Sequence, residues 1–350
     1  MKKTKLTVCM ISRNEEKCIG QAINSVMPVA DEIIINDNGS TDSTLDILSK
    51  YGDKVRVMHT KWDDDFSKAR NLSLKFASCD WIMFLDCDDI LPPTSIKRIN
   101  QLKNDPLDRY FYFKVICTKN GLPIGSSLLQ ARMFPNRADV NFIYPIHEQI
   151  SVKALKAGLK PMTSDVIIHH TGYEDEGVNE DKQDRNINII KSIPGWGKTY
   201  YWLKCMGDSH MVLRRWDKAR TYYSDASFIE STAYIHSQIG KVDFILKNTK
   251  RAISHHKLAL FLEPDSIEAM YSLAKCYEED KNYEQAVLTY RKVLTLPDKE
   301  SYATVPYDMA RLYTYHFLLR IYIGFGVRDE AAKLIKKMSE DYPKQRLEDV

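Results

Sequence analysis

The sequence lacks long apolar runs, paired cysteines and an excess of charge of one sign. None of its apolar stretches approaches the roughly 18 to 20 residues of a membrane-spanning helix, so no span is predicted. Its seven cysteines are scattered and never form a CxxC pair, so we expect reduced thiols in a cytoplasmic protein. The net charge of +3, with both signs interspersed, argues against a nucleic-acid partner.

Glycine-rich phosphate loops are also missing, since the chain has only 14 glycines and none of its strand-like runs leads into a GxGxxG sequence. The segment GWGKT resembles the end of a phosphate loop, but the first glycine of that motif would fall on Ser192. A sugar nucleotidyltransferase would need a glycine-rich, basic loop after the first strand. That position reads SRNEEK, so this class is disfavoured.

Short β-rich runs alternate with helix-like segments through the first third of the chain. The strand-like runs are LTVCMIS, DEIIIND, KVRVMHT and WIMFLD. Alternation at this spacing predicts right-handed βαβ units and an α/β domain with a largely parallel sheet. Pro194 and Gly195 interrupt the pattern, and we place the domain boundary there, giving domains 1–195 and 196–350.

Beyond about Thr199 the pattern is helical and repeats every 33 or 34 residues, then after 45. This period is typical of tetratricopeptide repeats, in which small residues let paired helices approach closely. The repeating sets are Ala219, Tyr223 and Ala226; Ala252, His256, Ala259 and Pro264; Ala286, Tyr290 and Val293; and Ala331, Ile335, Met338 and Pro343. We therefore predict an all-α repeat domain, whose concave face suits a peptide or protein partner or a homodimer.

Acidic or polar residues follow every strand-like run. Ligands of open parallel sheets bind beyond these carboxyl ends. Asp86 and Asp88 lie two positions apart, so extended backbone would place both carboxylates on one side, where Mg²⁺ or Mn²⁺ could bind. The alternative is a solvated acidic turn in which Asp89 caps the next helix.

Four segments, VCMISRNEE, DEIIINDNGSTD, DFSKARN and WIMFLDCDDIL, together resemble the family 2 glycosyltransferases with the GT-A fold. The resemblance covers roughly residues 5–193 and includes the DXD motif. It implies that Asp37 binds the uracil or ribose of a UDP-sugar, that Asp86 faces the ribose or sugar, and that Asp88 holds the metal. The nucleotide-sugar-binding residues it implies are Ser12, Asn14, Glu15, Asp37, Asp65, Arg70, Asp86 and Arg132. We also expect Asp65 to cap the helix that carries Arg70.

Three later segments, RMFPN, YPIHEQI and IIHHTGY, resemble the repeat-carrying branch that glycosylates bacteriocin peptides of the sublancin type on cysteine or serine. This implies that His147 and Glu148 lie in the acceptor half of the site and that His170 lies near the metal or the diphosphate. His170 would then join Asp88 and Asp86 as a metal ligand or contact the phosphate; the alternative is a satisfied core histidine. Either Glu148 or His147 could be the base that takes the acceptor proton. Alternatively, the pair orders the acceptor loop by hydrogen bonds and the base lies elsewhere.

The function predicted from the sequence is inverting, metal-dependent transfer of a hexose from a UDP-sugar to a peptide cysteine or serine. A saccharide or lipid-linked acceptor is the alternative within this class. A non-catalytic repeat scaffold is the alternative from another class. The retention of Asp37, Arg70, Asp86 and Asp88 argues against the scaffold.

Overall fold

The computed structural model describes residues 4–119, 122–172, 180–297 and 307–342. The chain forms two compact units, Met1–Gly177 and Val178–Val350. Their junction precedes the boundary predicted at residues 195/196, because the helix Glu180–Ser192 groups with the helices that follow it. None of the described helices combines the length and the apolar character needed to cross a bilayer.

The first unit is built on one eight-stranded sheet with the order β3-β2-β1-β4-β7-β6-β8-β5. The strands are β1 Leu6–Ser12, β2 Glu32–Asp37, β3 Val55–His59, β4 Trp81–Phe84, β5 Asp89–Ile90, β6 Arg109–Lys119, β7 Leu122–Pro135 and β8 Lys160–His170. Strands β1 to β4 are parallel, as predicted. The other half is mixed, since β7 pairs antiparallel with both β4 and β6, and β6 pairs parallel with β8.

In the described residues of this unit, five α-helices accompany the sheet: α1 Ile19–Val26, α2 Thr44–Leu48, α3 Phe66–Phe76, α4 Pro93–Leu102 and α5 Ser151–Lys156. Helix α1 buries Ile19, Ala22, Ile23 and Val26, the face that its sequence period indicates. Side chains alternate along each strand, so Val8 and Met10 enter one core and Cys9 enters another on the opposite side of the sheet. The α/β fold predicted from the sequence is confirmed.

The second unit is all-α in its described part. Its helices are α6 Glu180–Ser192, α7 Tyr200–Val212, α8 Trp216–Ile229, α9 Ala233–Ile245, α10 Thr249–Leu262, α11 Ile267–Glu279, α12 Tyr283–Val293, α13 Tyr307–Gly324 and α14 Arg328–Asp341. Antiparallel pairs such as α7 with α8 and α9 with α10 form the repeats.

Most of the repeat positions predicted from the sequence are buried between paired helices, whereas Ile335 is partly buried and Pro264 is exposed. Tyr223 and His256 occupy equivalent positions in consecutive repeats, and each ring packs against a glycine of the preceding helix. A Cβ at Gly207 would lie 2.4 Å from the Tyr223 ring, and one at Gly240 would lie 2.7 Å from the His256 ring. The close approach expected of these repeats is therefore confirmed in the described residues; Pro343 lies outside them.

Candidate active site

The acidic residues after β4 form a tight turn. Strand β4 ends at Phe84, and the Asp89 amide donates to the Asp86 carbonyl at 3.0 Å. Our sequence argument assumed extended backbone at Asp86 and Asp88, and the turn gives their carboxylates different partners instead. Asp89 lies in β5, fully buried, and does not cap α4, whose N-cap is Pro92.

Two arginines, Arg132, which is buried, and Arg70, which is partly buried, hold the Asp86 carboxylate. Arg70 Nη2 donates to Asp86 Oδ1 and Arg132 Nη2 donates to Oδ2, both at 2.9 Å. Burial by itself raises the pKa of Asp86, but the two guanidinium groups outweigh it and hold the pKa far below its ordinary value. Because both oxygens face arginines, the geometry does not support the prediction of Asp86 as a metal ligand. Asp86 is instead a fixed negative charge at the carboxyl end of β4.

Arg70 connects this carboxylate to a second one. It lies on α3, whose N-cap Asp65 accepts from the Lys68 amide at 2.9 Å, as predicted. Its Nε donates to Glu148 Oε1 at 2.5 Å, and its guanidinium lies 4.3 Å from the centre of the Phe84 ring. Burial lowers the pKa of Arg70, but Asp86 and Glu148 outweigh it, so the guanidinium stays charged.

Glu148 belongs to a short hairpin closed by two backbone hydrogen bonds of 3.0 Å between Ile143 and Gln149. Within it, Tyr144 and His147 have φ values of 76° and 50°. Residues other than glycine rarely adopt positive φ, and such strain often marks functional sites. The Glu148 side chain faces Arg70 and is only 13% exposed, whereas His147 is exposed. The predicted pair is therefore divided between the interior of the site and its surface.

A second cluster contains Asp88, Asp89 and His170, with candidate ligand atoms that all lie within 4.8 Å of one another. His170 Nδ1 lies 2.9 Å from Asp89 Oδ1 and 3.4 Å from Asp88 Oδ1. Asp89 also accepts from Arg132 at 3.0 Å. A histidine that binds a metal commonly donates its other ring nitrogen to a carboxylate, which fixes the ring. Asp89 occupies that orienting position, so Nε2 is the His170 ring nitrogen that would serve as a metal ligand.

The charge state of this cluster follows from burial and from crowding of carboxylates. Burial raises the pKa of Asp88 to about 6; His170 opposes this, while Asp86, Asp89 and Glu15 add to it. Burial lowers the pKa of His170, but its bond to Asp89 and the charge of Asp88 outweigh that effect and raise it. Crowded carboxylates of this kind are stabilised by a cation.

Gly172 lies against this cluster. A Cβ built on Gly172 would lie 2.2 Å from Asp88 Oδ2 and 3.0 Å from His170 Nε2, so the arrangement of these two side chains requires a residue without a Cβ at this position. The neighbouring Thr171 fixes the Asp88 backbone, because its amide and hydroxyl donate to the Asp88 carbonyl at 2.8 and 2.9 Å. Oxygen and imidazole donors that lie this close together fit Mg²⁺ or Mn²⁺. Tyr173, which ends the IIHHTGY segment, lies outside the described residues.

Asp37 lies at the end of β2 with a 1% exposed side chain. Its Oδ1 accepts from the amides of Gly39 and Ser40 at 3.0 Å each, and its Oδ2 accepts from the Ser12 hydroxyl at 3.0 Å. These bonds shape the turn after β2. Asp37 also borders a cavity of about 560 Å³ whose other lining residues include Arg13, His59, Lys61 and Trp62.

The loop after β1 is bonded to the same turn. Asn14 Oδ1 accepts from the Thr41 amide at 2.7 Å, and the Glu15 amide donates to the Thr44 hydroxyl at 2.8 Å. The predicted donor residues of the first two strands thus lie together. Their nucleotide-binding role stays a prediction, as does that of Asp65, which caps α3.

Comparison with known proteins agrees with this architecture. Residues 7–109 match the family described as glycosyl transferase family 2, and residues 268–298 match a tetratricopeptide repeat. The chain carries a family 2 glycosyltransferase domain. The resemblance stated from the sequence is thereby confirmed at the level of this domain and the repeats that follow it.

Relatives of the glycosyltransferase domain and of the repeats are found in several bacteria. A TPR repeat-containing protein of Synechococcus elongatus is 35% identical over 145 residues, which cover 41% of this chain and 35% of that protein. The glycosyltransferase SunS of Bacillus subtilis is 28% identical over 191 residues, covering 54% and 44%. The chain therefore covers less than half the length of either relative. A solved fragment of S. aureus TarS has 18% identity and a TM-score of 0.41 over 82% of this chain and 91% of that one, too distant to support an argument about function.

Three features of the site escaped the sequence analysis: the orienting position of Asp89, the close approach of Asp88 to Gly172, and the aromatic contact of Arg70 with Phe84. The sequence signals available for the first two features were the third carboxylate of DCDD, Asp89, and the glycine after HHT, Gly172. Their meaning depends on β5 pairing with β8, which places Asp89 opposite His170. The sequence does not indicate that pairing, because the two residues are 81 positions apart.

Proposed function

We propose that the glycosyltransferase domain transfers a hexose, with inversion, from a UDP-sugar to a cysteine or serine side chain of a peptide, with Mg²⁺ or Mn²⁺ as cofactor. The observation that carries this proposal is the cluster of Asp88, Asp89 and His170, whose candidate ligand atoms all lie within 4.8 Å of one another. Asp88 lies two positions after Asp86, a carboxylate held by two arginines, in a chain that carries a domain of this family.

On the donor side, Asp88 and His170 would hold the cation, and Asp89 would orient His170. When bound, the cation supplies Lewis-acid stabilisation of the charge that grows on the leaving diphosphate. Asp37 and the 560 Å³ cavity would take the uracil and ribose. Asp86 accepts one hydrogen bond at each oxygen, and an ionised carboxylate has about four lone-pair positions, so it can also accept from a ribose or sugar hydroxyl.

On the acceptor side, Glu148 is the stronger candidate for the base. Its Oε1 is held by Arg70, which leaves Oε2 to take the proton of the attacking thiol or hydroxyl. Arg70 also holds Asp86, so one guanidinium sets the position of the acceptor hairpin against the donor carboxylate. His147 is exposed at the tip of this hairpin and would contact the acceptor peptide. The repeats would bind the rest of the peptide, since such arrays present extended concave surfaces.

Thermal unfolding with UDP, with and without Mn²⁺, tests the donor site. Wild type should gain about 2.7 kcal/mol at a hundred times the dissociation constant of UDP, and only when Mn²⁺ is present. Asp88→Asn should lose this gain, and Asp63→Asn, in the exposed loop before α3, should keep it. An equal gain in all three proteins, or none in wild type with metal, would contradict the proposed site.

Initial rates of transfer from UDP-hexoses to cysteine- and serine-containing peptides test the acceptor side. Glu148→Gln should lower kcat by about 10²- to 10⁴-fold. His147→Ala should mainly raise KM for the peptide. If His147→Ala lost more kcat than Glu148→Gln, His147 would be the base and Glu148 the residue that contacts the peptide. Transfer to a saccharide but not to any peptide would overturn the acceptor assignment and leave the donor site intact.

A further inference from the structure

A separate polar cavity of about 420 Å³ lies in the second unit, among α6, α7 and the start of α8. Its charged lining consists of Asp184, Lys191, Arg215 and Lys218. Arg215 and Asp184 neutralise each other through two hydrogen bonds of 2.7 and 3.1 Å. Lys191 and Lys218 form no ion pair with any described residue, so the cavity keeps two uncompensated positive charges.

The floor of this cavity contains an unusual histidine. His210 is 3% exposed, and its ring stacks in parallel on Tyr222, with ring centres 5.2 Å apart and planes 1° from parallel. Its Nδ1 is buried and has no hydrogen-bond partner among the described residues. Buried polar atoms nearly always have a partner, which is often a bound ion or water when the protein supplies none.

The charges around His210 explain why this ring is neutral without a ligand. Burial and the nearby cations Lys218, Arg215 and Lys191 lower the pKa of His210 to about 4, and Asp184 only partly opposes them. These four groups come from α6 and from the residues that begin α8, the elements that pack against α7 here. An anion in the cavity would place a negative charge beside the ring and would favour its protonated form.

We infer that this cavity binds an oxyanion group such as phosphate, held by Lys191 and Lys218 next to His210. The remaining polar lining supports this choice, because Asn188 and Tyr222 can both donate hydrogen bonds. Charge-assisted hydrogen bonds from two ammonium groups are the strong kind that such an ion requires. The site is separate from the donor site of the first unit and does not depend on the proposed transferase activity.

Histidine ring NMR signals of the full-length chain, labelled with ¹³C-histidine, test this inference, and His210→Gln assigns the signal. Sodium phosphate is added at pH 7.5, with sodium chloride adjusted to keep the ionic strength constant. We expect a saturable shift of the His210 signal and a rise of its pKa when phosphate is bound. A shift that does not saturate, or one that chloride reproduces, would overturn the inference.

The variant Lys191→Ala/Lys218→Ala should bind phosphate at least about tenfold more weakly, because it removes both uncompensated charges. Lys250→Ala/Lys337→Ala, which removes two exposed lysines elsewhere in this unit, should bind like wild type. Equal affinity in both double variants would overturn the site. Saturation by acetate as well would support a carboxylate-bearing ligand, whereas saturation by phosphate alone would support a phosphate group.

Discussion

Replacing Gly172 with alanine should remove metal-dependent UDP binding and leave the fold intact. The added Cβ would lie 2.2 Å from Asp88 Oδ2, a distance that real Cβ contacts do not reach, so the Asp88 carboxylate has to move. Gly172 has no positive φ, so alanine causes no backbone strain. Loss of a residue that only orients a metal ligand typically lowers metal affinity by about 10- to 100-fold. Displacing the ligand Asp88 itself should lower it by at least as much.

That loss can be measured as a change in thermal protection. At a UDP concentration of a hundred times the wild-type dissociation constant, with Mn²⁺ in excess, wild type gains about 2.7 kcal/mol. A hundredfold weaker site gains about 0.4 kcal/mol at the same concentration. For a unit of this size these values correspond to Tm increases of about 5–10 °C and about 1–2 °C.

Gly20→Ala is the matched control for this experiment. It lies on α1 of the same unit, and its Cβ would meet its nearest neighbour, the Tyr51 hydroxyl, at an ordinary 3.5 Å. This variant should show the full protection of wild type. If Gly172→Ala also keeps full protection by UDP and Mn²⁺, then Asp88 Oδ2 and His170 Nε2 do not enclose the cation, and the argument from their geometry is refuted.

Three further predictions concern stability. His256→Phe should remove part of the acid sensitivity of the helical unit. Burial lowers the pKa of His256 to about 3, so below about pH 6.5 the unfolded chain binds a proton that the folded chain excludes. In urea unfolding, the free energy of unfolding of the variant should therefore fall by about 2 kcal/mol less than that of wild type between pH 7.5 and pH 5. Gly207→Ala should destabilise the same unit by about 1–3 kcal/mol in urea, because its Cβ would lie 2.4 Å from the Tyr223 ring. Arg70→Met should cost about 3 kcal/mol at pH 7, because it leaves Asp86 with one guanidinium. The pKa of Asp86 is lowered by folding, so its stabilising effect is present above about pH 4 and is lost as the pH falls further, and the cost of Arg70→Met should shrink in acid.

Each of these three has a control in the chain. Gly324→Ala meets no atom within 4 Å and should change stability by well under 1 kcal/mol. Leu258→Phe, at an exposed position of the same helix α10, changes no titratable group and should leave the pH dependence of unfolding as in wild type. Arg98→Met removes a surface ion pair with Asp165 and should cost less than about 1 kcal/mol. A cost for Arg70→Met that is no larger than this would mean that its carboxylate partners are not desolvated.

The periodic features of the sequence predicted the fold well. Ile19 and Val26 are buried because a helix returns the same face to the core about every 3.6 residues, and Ala219 and Ala226 are buried for the same reason in the repeats. Such patterns depend only on near neighbours in the chain. The parallel strands and the helical repeats are therefore both visible in the sequence.

The candidate site was predicted less completely, because its contacts join distant segments. The sequence proposed Asp86, Asp88 and His170 as metal ligands, and it could not show that β4 ends at Phe84 and that Arg132 reaches Asp86 from β7. It named Glu148 without its partner, because the contact with Arg70 spans 78 positions. The residue types of the site could thus be predicted from the sequence, whereas the contacts between those residues could not.

The acceptor hairpin and α3 have a consequence for protein engineering. The Phe66 amide donates to the Pro145 carbonyl, and the Asn71 side chain bonds both the amide and the carbonyl of Phe142 at 2.8 Å. Together with the Arg70–Glu148 pair, these bonds attach the hairpin to α3 along two successive helical turns. A hairpin transplanted from another enzyme to change the acceptor therefore has to bring its own α3, and the two segments form the smallest exchangeable cassette.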